Sequence, residues 1–584
     1  MSNEKKSKKE KRKRKDSLNR LKEQMINYIN NIKTYEDWDK FVQMFMLRFP
    51  ERKKEFKTDS GIIVKRLYTP NDIKDIDYIK DIGFPAVPPF TRGVYPTMHR
   101  GRIWTQRLIC GTGTPEDTNK RLKFLISQGQ TGLNIIYDLP THRGIDPDDP
   151  RARGEIGKDG VNCACLEDMR AIFKDIEYYN YSVSQITAIH VLCMYIAMAE
   201  LDGVDISTLR GTVQSDMFNA IQGCGALASD ITRRGKGAIE YSIDTCVDII
   251  EFCTKYMPKW YPISIVGRNI REAGADAVSE IAIAFSNGLC YVEKAMERGL
   301  NINEFGERLS FMFCCENNFF EEIAKFRAAR KVWYRLMKEK GATNPLAMLV
   351  RMHVQNSSIA YTAQQPLNNI IRGTIHTMAA VLGGAQSLHT NAYDEAWGLP
   401  TEKAHMIALR TQQIIAEESG IMDTIDPLAG SYYVEALTKE LEKRIYDMVK
   451  EMQELGGSIE LTENGWIANI LEENAYRYQR EIEEGKRIVV GVNKYVLEDE
   501  ELDIEIHEIP EEVADHQIAR IKRVRAERDP RKWEKAIEHL RETCDAKVDD
   551  RKINIMRPLI EAYKANATLG ECYNAIWPDY RFRG

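Results

Sequence analysis

The sequence predicts an α/β protein built on a (β/α)8 barrel, with an N-terminal extension and a C-terminal helical region. Three observations carry this expectation. Short apolar or β-branched runs recur between about residues 120 and 400, helical periodicity fills most of the intervals, and polar residues stand where the runs end.

The runs are "TGLNIIYDL" from residue 131, "YSVSQITAI" from 181, "GTVQ" from 211, "PISIVG" from 262, "RLSFMFCC" from 308, "AMLVRMHVQ" from 347 and "AQSLHTN" from 385. Stretches such as "EIAIAFSNGLCYVEKAMERG" and "FEEIAKFRAARKVWYRLMKEKG" separate them with helical spacing. Seven or eight such units favour closure into a barrel over an open sheet. Asp138 and His142, Gln214, Arg268 and Asn269, His353 and Gln355, and His389 and Asn391 fall at run ends, where barrel enzymes build active sites. Asn134, Ser182, Ser184, Thr187, Ser264, Ser310 and Ser387 fall inside runs, against the aliphatic preference of a filled barrel. Either the barrel holds something polar through its middle or these positions face outward.

Around the barrel, expected over 91–420, the chain divides by composition. Residues 1–16 form a basic tail with nothing apolar to bury, expected to be disordered, and 17–90 a helical and extended segment suited to subunit contact. A helical region over 421–496 completes the barrel domain, with "GKRIVVGVNKYV" from residue 485 read as a strand pair. An acidic linker, "LEDEELDIEIHEIPEE", covers 497–512, and two or three helices over 513–584 follow, one starting near Asp529 and Pro530.

Composition excludes several classes. The net charge of −5 leaves the body no basic footprint for nucleic acid, and no run reaches the apolar length of a membrane span. Twelve cysteines without metal-ligand spacing read as reduced thiols of a cytoplasmic protein, so no metal site is expected. Phosphate-loop, nucleophile-elbow and H-E-x-x-H motifs are absent.

Three stretches are candidates for a site. "RGVYPTMHRGRIWTQRLI", 92–109, concentrates four arginines, a tyrosine, two threonines and a tryptophan with neither a helical nor a strand period. "GRNIREAGADAVSE" sets Arg268, Asn269 and Arg271 next to Glu272, and "GGAQSLHTNAYDEAWGLP" crowds Gln386, His389, Asn391, Asp394 and Glu395 after a run. Loops on a rigid scaffold are where binding residues concentrate. A fourth stretch, "GTGTPEDTNKR", reads as a glycine-rich turn capping a helix through Thr114 or Asp117.

From about residue 50 onward the chain resembles the large or catalytic subunits of the coenzyme B12-dependent acyl-CoA mutases. The resemblance is carried by "GFPAVPPFTRGVYPTMHRGRIWTQR", "GQTGLNIIYDLPTHRGIDPDDPRARGEIG", "REAGADAVSE", "RLSFMF", "GGAQSLHTNAYDEAWGLPTE", "DPLAGSYYVEALT" and "VVGVNKY" in the family's order. It implies a barrel with the pantetheine of coenzyme A threaded through its centre, and an isomerase that rearranges an acyl-CoA carbon skeleton by radical chemistry with adenosylcobalamin.

By this resemblance Tyr95, Thr97, Met98, Arg102, Thr105 and Arg107 fall on CoA-contacting positions, which suits arginine to phosphate and hydroxyls to amides. Asn134, Arg308, Ser310, His353, Gln355 and Gln386 match further positions for CoA or the acyl thioester, and Gln214 a substrate-contacting glutamine. Tyr137, His142, Glu272, Asn391, Glu395 and Ala396 match the face that meets corrin and adenosyl ribose. The family's D-x-H-x-x-G motif, whose histidine ligates cobalt, is not in the chain. A separate small cobalamin-binding subunit is therefore implied, in a heterodimer or heterotetramer.

The pocket departs from methylmalonyl-CoA mutases. Ile109 stands for their tyrosine, Cys224 for the arginine that pairs the substrate carboxylate, Arg268-Asn269 for a Tyr-His pair and Ile359 for a tryptophan over the corrin. Without the arginine a buried carboxylate is costly, so methylmalonyl-CoA is not the expected substrate. An aliphatic residue at 109 is also what 2-hydroxyisobutyryl-CoA mutases carry, but the acidic residue expected near Ile136 is absent. Asn269 is then a candidate donor to the thioester carbonyl and Arg268 a candidate carboxylate receptor. The rival readings are a CoA-binding paralogue without mutase activity and a barrel protein with a different CoA reaction.

Overall fold

The computed structural model describes residues 25–26, 29–47, 50–225, 237–498, 500 and 504–577, so the basic tail lies outside the described residues. The chain forms two compact units, Met1–Arg66 and Leu67–Gly584. In the first, the helix Tyr35–Met46 starts at Thr34, whose hydroxyl accepts from the Asp37 amide while the Asp37 carboxylate accepts from the Thr34 amide. Arg66 ties this unit together by ion pairs of 2.9 Å to Asp39 and 2.6 Å to Glu51.

The second unit is built on parallel strands. In chain order they are β1 (Thr105–Gln106), β2 (Ile109–Cys110), β3 (Gly132–Ile136), β4 (Ser182–Ile186), β5 (Arg210–Val213), β6 (Trp260–Tyr261), β7 (Ile263–Val266), β8 (Leu309–Cys315), β9 (Met352–Asn356) and β10 (Ser387–His389). They form two five-stranded sheets, ordered β1-β10-β9-β8-β7 and β2-β3-β4-β5-β6, with every pairing parallel. Only Arg107 and Leu108 separate β1 from β2, and only Pro262 separates β6 from β7. Proline has no amide to donate to a ladder, which accounts for the break at Pro262.

Each of the seven runs in the sequence overlaps one of these strands. The strand pieces at 105–110 were not legible, because each is two residues long and the Arg107 amide between them turns to the Leu388 carbonyl at 3.0 Å. Close passage of backbone needs glycine at one point in the sheet: a β-carbon on Gly211 of β5 would stand 2.0 Å from the Val183 carbonyl oxygen.

Helices cover the strands. Thr114 caps Pro115–Ser127 in a reciprocal capping box with Asp117, as its sequence suggests. The long helices Ala277–Glu297 and Phe319–Glu339 pack on Tyr432–Glu454 in the region 421–496. One apolar core runs from Leu133, Ile135 and Val183 through Val191 and Met194 to Leu559, Ile560 and Tyr563, so the C-terminal helices share the core of the strands.

Two expectations need correction. The strand pair expected at 485–496 is a set of turns with one isolated bridge, Val490 to Lys494. The Asn493 side chain takes the Val489 amide at 2.8 Å and donates to the carbonyls of Ile482 and Arg487, which replaces a ladder by local bonds. The C-terminal region holds four helices rather than two or three: Glu512–Glu527, Pro530–Asp549, Met556–Lys564 and Leu569–Ile576. The extra boundary arises at Asn566 and Thr568, a left-handed residue followed by a capping box. The second of these helices begins at Pro530 behind an Asp529 cap, as expected. No helix among the described residues is long and apolar enough to cross a membrane.

Candidate active site

A cavity of about 320 Å³ lies among the strands and is lined from both sheets. The polar residues inside the runs face it: Asn134, Ser182, Ser184, Ser264, Ser310 and Ser387 all contribute to its wall. Thr187 does not line it and is buried beyond the end of β4. At the end where the strands begin, Arg102, Arg210, Lys259, Arg308 and Arg351 contribute cations, and no carboxylate lines the cavity among the described residues. This end attracts anions.

Halfway along, three buried polar atoms have no protein partner: Arg107 Nε, Asn134 Oδ1 and His353 Nε2. Arg107 donates through Nη2 to Ser182 Oγ at 2.5 Å, and burial lowers its pKa to about 10, which keeps it cationic at neutral pH. His353 shares a hydrogen bond of 2.8 Å between Nδ1 and Ser387 Oγ. Burial, with help from Arg107 and Arg268, pushes its imidazole down to about 3, so it is neutral. Each buried group left unbonded costs about 1–3 kcal/mol, which a polar guest would offset.

Tyr95, Met98, Arg102, Thr105, Arg107, Asn134, Gln214, Arg308, Ser310, His353 and Gln386 all line this cavity. Gln214 Nε2 reaches Met312 Sδ at 3.2 Å, and Gln386 is held by the Met352 amide at 2.8 Å and the Gly384 carbonyl at 2.6 Å. Thr97 is exposed on the turn before the cavity. Ile109 pairs with Asn134, and its amide donates to His389 Nδ1 at 2.9 Å.

A second cluster forms where β7, β9 and β10 end. Arg268 pairs with Glu272 at 2.9 Å, donates to Asn269 Oδ1 at 3.0 Å and to Ser358 Oγ at 2.7 Å. The Ser358 amide donates to Glu272 at 2.6 Å, and its hydroxyl donates to Glu395 at 2.7 Å while accepting from Asn391 at 3.0 Å. Gln355 donates to Asn391 at 3.2 Å. Burial raises the Glu395 carboxyl above its ordinary range. Arg268, Asn269, Glu272, Gln355, Asn391 and Glu395 thus meet around a residue that sequence reasoning missed, Ser358.

Behind this cluster the adjacent Arg271 approaches Glu316 and Glu322, while Lys325 pairs with Glu280 at 2.7 Å and Glu322 at 2.5 Å and donates to the Cys314 carbonyl. These buried charges anchor the end of β8.

Other candidates lie elsewhere. Ala396 is exposed beside Glu395, Ile359 is 45% exposed, and Cys224 is exposed at the end of the turn Asn219–Gly223. Tyr137 sits in the apolar core with its hydroxyl unbonded, and His142 ends the short helix Leu139–His142, where burial lowers its pKa to about 4. Neither belongs to the cavity wall or to the Ser358 cluster. Arg210, Lys259 and Arg351 were missed as well; the available signal was a cation at or just before the start of β5, β6 and β9. No group of residues suited to a metal ion occurs among the described residues.

Comparison with known proteins is consistent with this arrangement. The chain is 43% identical over 554 residues to the 2-hydroxyisobutanoyl-CoA mutase large subunit of Aquincola tertiaricarbonis, covering 94% of this chain and 96% of that protein. It is 38% identical over 548 residues to the methylmalonyl-CoA mutase of Rhizobium meliloti, covering 93% of this chain and 75% of the relative. The human mitochondrial methylmalonyl-CoA mutase is 40% identical over 524 residues, with 89% and 68% covered. Residues 57–580 match the family model described as methylmalonyl-CoA mutase, and the chain belongs to that family.

Proposed function

We propose that the chain is the catalytic large subunit of an adenosylcobalamin-dependent acyl-CoA mutase, an isomerase whose substrate is not methylmalonyl-CoA. The observation that carries this reading is the cavity, with cations at one end and unbonded polar atoms midway. A CoA ester has the matching sequence of groups: phosphates, then pantetheine amides, then an acyl thioester. The relative of similar length is named as a large subunit, which favours a small partner subunit here.

The pairings favour closure of the ten strand pieces into one eight-stranded barrel, because β1 with β2 and β6 with β7 each join the two sheets within three residues or fewer. The CoA chain would then run along the barrel axis, entering where the strands begin. Arg102, Arg308 and Arg351 would meet phosphate, Arg107 and Asn134 the pantetheine amides, and His353, as a neutral imidazole, the thioester end.

Fit to the cofactor rests on the Ser358 cluster. Its carboxylates, Glu272 and Glu395, are acceptors suited to sugar hydroxyls, and they stand at the strand ends beside the exposed Ile359. Adenosylcobalamin, when bound, supplies the radical chemistry. The chain itself binds the thioester, holds it in register and excludes water.

Isothermal titration with CoA tests the cavity, and Arg308→Ala is expected to weaken binding at least about tenfold. Incubation with the partner subunit, adenosylcobalamin and a series of branched acyl-CoA esters is expected to yield an isomerised ester by mass spectrometry. Absence of any isomer with intact CoA binding would favour a non-mutase CoA-binding protein.

A further inference from the structure

The strand period sorts the cavity wall into layers. Along β8, alternate residues face the cavity, from Arg308 just before the strand through Ser310 to Met312. Along β5 the order is Arg210, Thr212 and then Gln214 just after the strand, and along β4 it is Ser182, Ser184 and Ile186. Hydroxyls fill the middle layer on all three strands, and on β4 and β8 the last position is apolar. Arg308 and Met312 lie four residues apart, roughly 13 Å at about 3.3 Å per residue. Met312 pairs with His353 of β9, and two positions further on neither Cys314 nor Gln355 lines the cavity. Met312 therefore stands in the last layer of the wall, remote from the cations.

It also meets the opposite sheet. Gln214 follows β5 of one sheet, and its Nε2 donates to Sδ of Met312 in the other at 3.2 Å. The main chain on both sides is pinned: the Gln214 amide donates to the Gln185 carbonyl at 2.9 Å, and the Met312 carbonyl accepts from the Gly267 amide at 2.8 Å. Only the side chains can yield to a guest. A thioether is a weak acceptor, so an ester oxygen can take the Gln214 NH2 from it at little cost. The methionine arm bends readily but keeps its volume. The Phe311 ring takes no part in this closure, because it packs on Phe285 and Trp333 with centroids at 5.3 Å and 4.9 Å.

We propose that Met312 is a specificity-determining residue that limits the size of the acyl group: with Ile186 it closes the cavity over the acyl end of a CoA ester whose phosphates lie at the cationic end. Small acyl groups fit beneath the two side chains, and long ones must displace them. The proposal rests on the cavity being an acyl-CoA site.

The test is direct binding of CoA, butyryl-CoA and octanoyl-CoA to the full chain, with each ester read relative to CoA so that a general change in the cavity cancels. Wild-type protein is expected to bind octanoyl-CoA at least about tenfold more weakly than butyryl-CoA, the cost of overfilling a packed site. Met312→Ala removes the arm and is expected to bring the two esters within about threefold of each other. Met312→Leu, of similar volume, is expected to keep the wild-type gap. Melting curves check that the variants fold, and Met312→Val, with its shorter side chain, is read in the same way should M312A not fold. Equal binding of the two esters by wild-type protein overturns the proposal. A gap that persists in M312A, including one that persists while CoA and both esters weaken alike, also overturns it and leaves Met312 a packing residue. Failure of CoA itself to bind would instead overturn the reading of the cavity, and this inference with it.

Discussion

The Ser358 hydroxyl donates to Glu395 at 2.7 Å while it accepts from Arg268 at 2.7 Å and from Asn391 at 3.0 Å. One hydroxyl offers one donor and two acceptor sites, so its capacity is fully used. Ser358→Ala leaves the buried Asn391 and the half-buried Arg268 and Glu395 without this partner and is expected to lower stability by about 1–3 kcal/mol. The Glu395 carboxyl, already raised by burial, is expected to rise further without the hydroxyl that lowers it. Ser358→Thr keeps the hydroxyl and should recover most of the loss in a urea melt.

Lys325 is fully buried between Glu280 and Glu322. Lys325→Met removes the cation and leaves the carboxylates facing each other in the core, at an expected cost of about 3–5 kcal/mol. A urea unfolding midpoint that falls with an unchanged slope would show this as a loss of stability alone.

Acidification is expected to destabilise the fold well before general acid denaturation. Burial lowers His99 and His142 to about 4, His190, His353 and His376 to about 3, and His389 and His405 well below the ordinary range. Below about pH 6.5 the unfolded chain takes up protons that these native imidazoles refuse, so stability falls, with a limiting slope of about 1.4 kcal/mol per pH unit for each group. Asp138 and Asp216, raised by burial to about 6, act in the opposite sense, because the native form takes up their protons first as pH falls toward 3.8. Asp146, Asp159, Asp244, Asp248, Glu280, Asp394 and Glu395 are raised by burial in the same sense as these two aspartates. The imidazoles begin to count at about pH 6.5, before the carboxyls raised to about 6, so the first effect of acidification is a loss. The melting temperature should therefore drop between pH 7 and about pH 5, and His376→Asn should reduce that drop.

The strand positions were legible because period and run length survive even where the interior is polar. Asn134, Ser184 and Ser310 broke the aliphatic rule for a filled barrel, which left a polar interior and outward-facing positions both open, and they line the cavity. Strand pieces of two residues carry no period, so 105–110 was not legible. Ser358 was invisible for another reason. A serine after a strand is ordinary, and its role comes from four partners brought together by the ends of three strands. Tyr137 shows the reverse, since a tyrosine one residue beyond β3 points into the apolar layer rather than toward the cavity.

Arg107 and Arg330 allow the cavity reading to be separated from plain structural need. Both are buried arginines without a carboxylate in contact, and burial lowers Arg107 to about 10 and Arg330 to about 9. Arg330 spends its donors on the backbone, reaching the carbonyls of Phe90 at 2.8 Å, Thr91 at 2.7 Å and Gly383 at 2.7 Å. Arg107 bonds only Ser182 and leaves Nε without a partner against the cavity. A buried cation that the protein does not satisfy costs stability, and such a cost is retained where it serves binding. Arg107→Leu is therefore expected to leave the melting temperature unchanged or raised while weakening CoA binding at least about tenfold. Arg330→Leu is expected to do the opposite in rank, lowering stability by about 3 kcal/mol or more because three carbonyls lose their donor. Arg107→Lys keeps the charge without the planar fork and should recover only part of the affinity. Melting curves and CoA titrations on the three variants check this, and a loss of stability in R107L equal to that in R330L would remove Arg107 from the binding site.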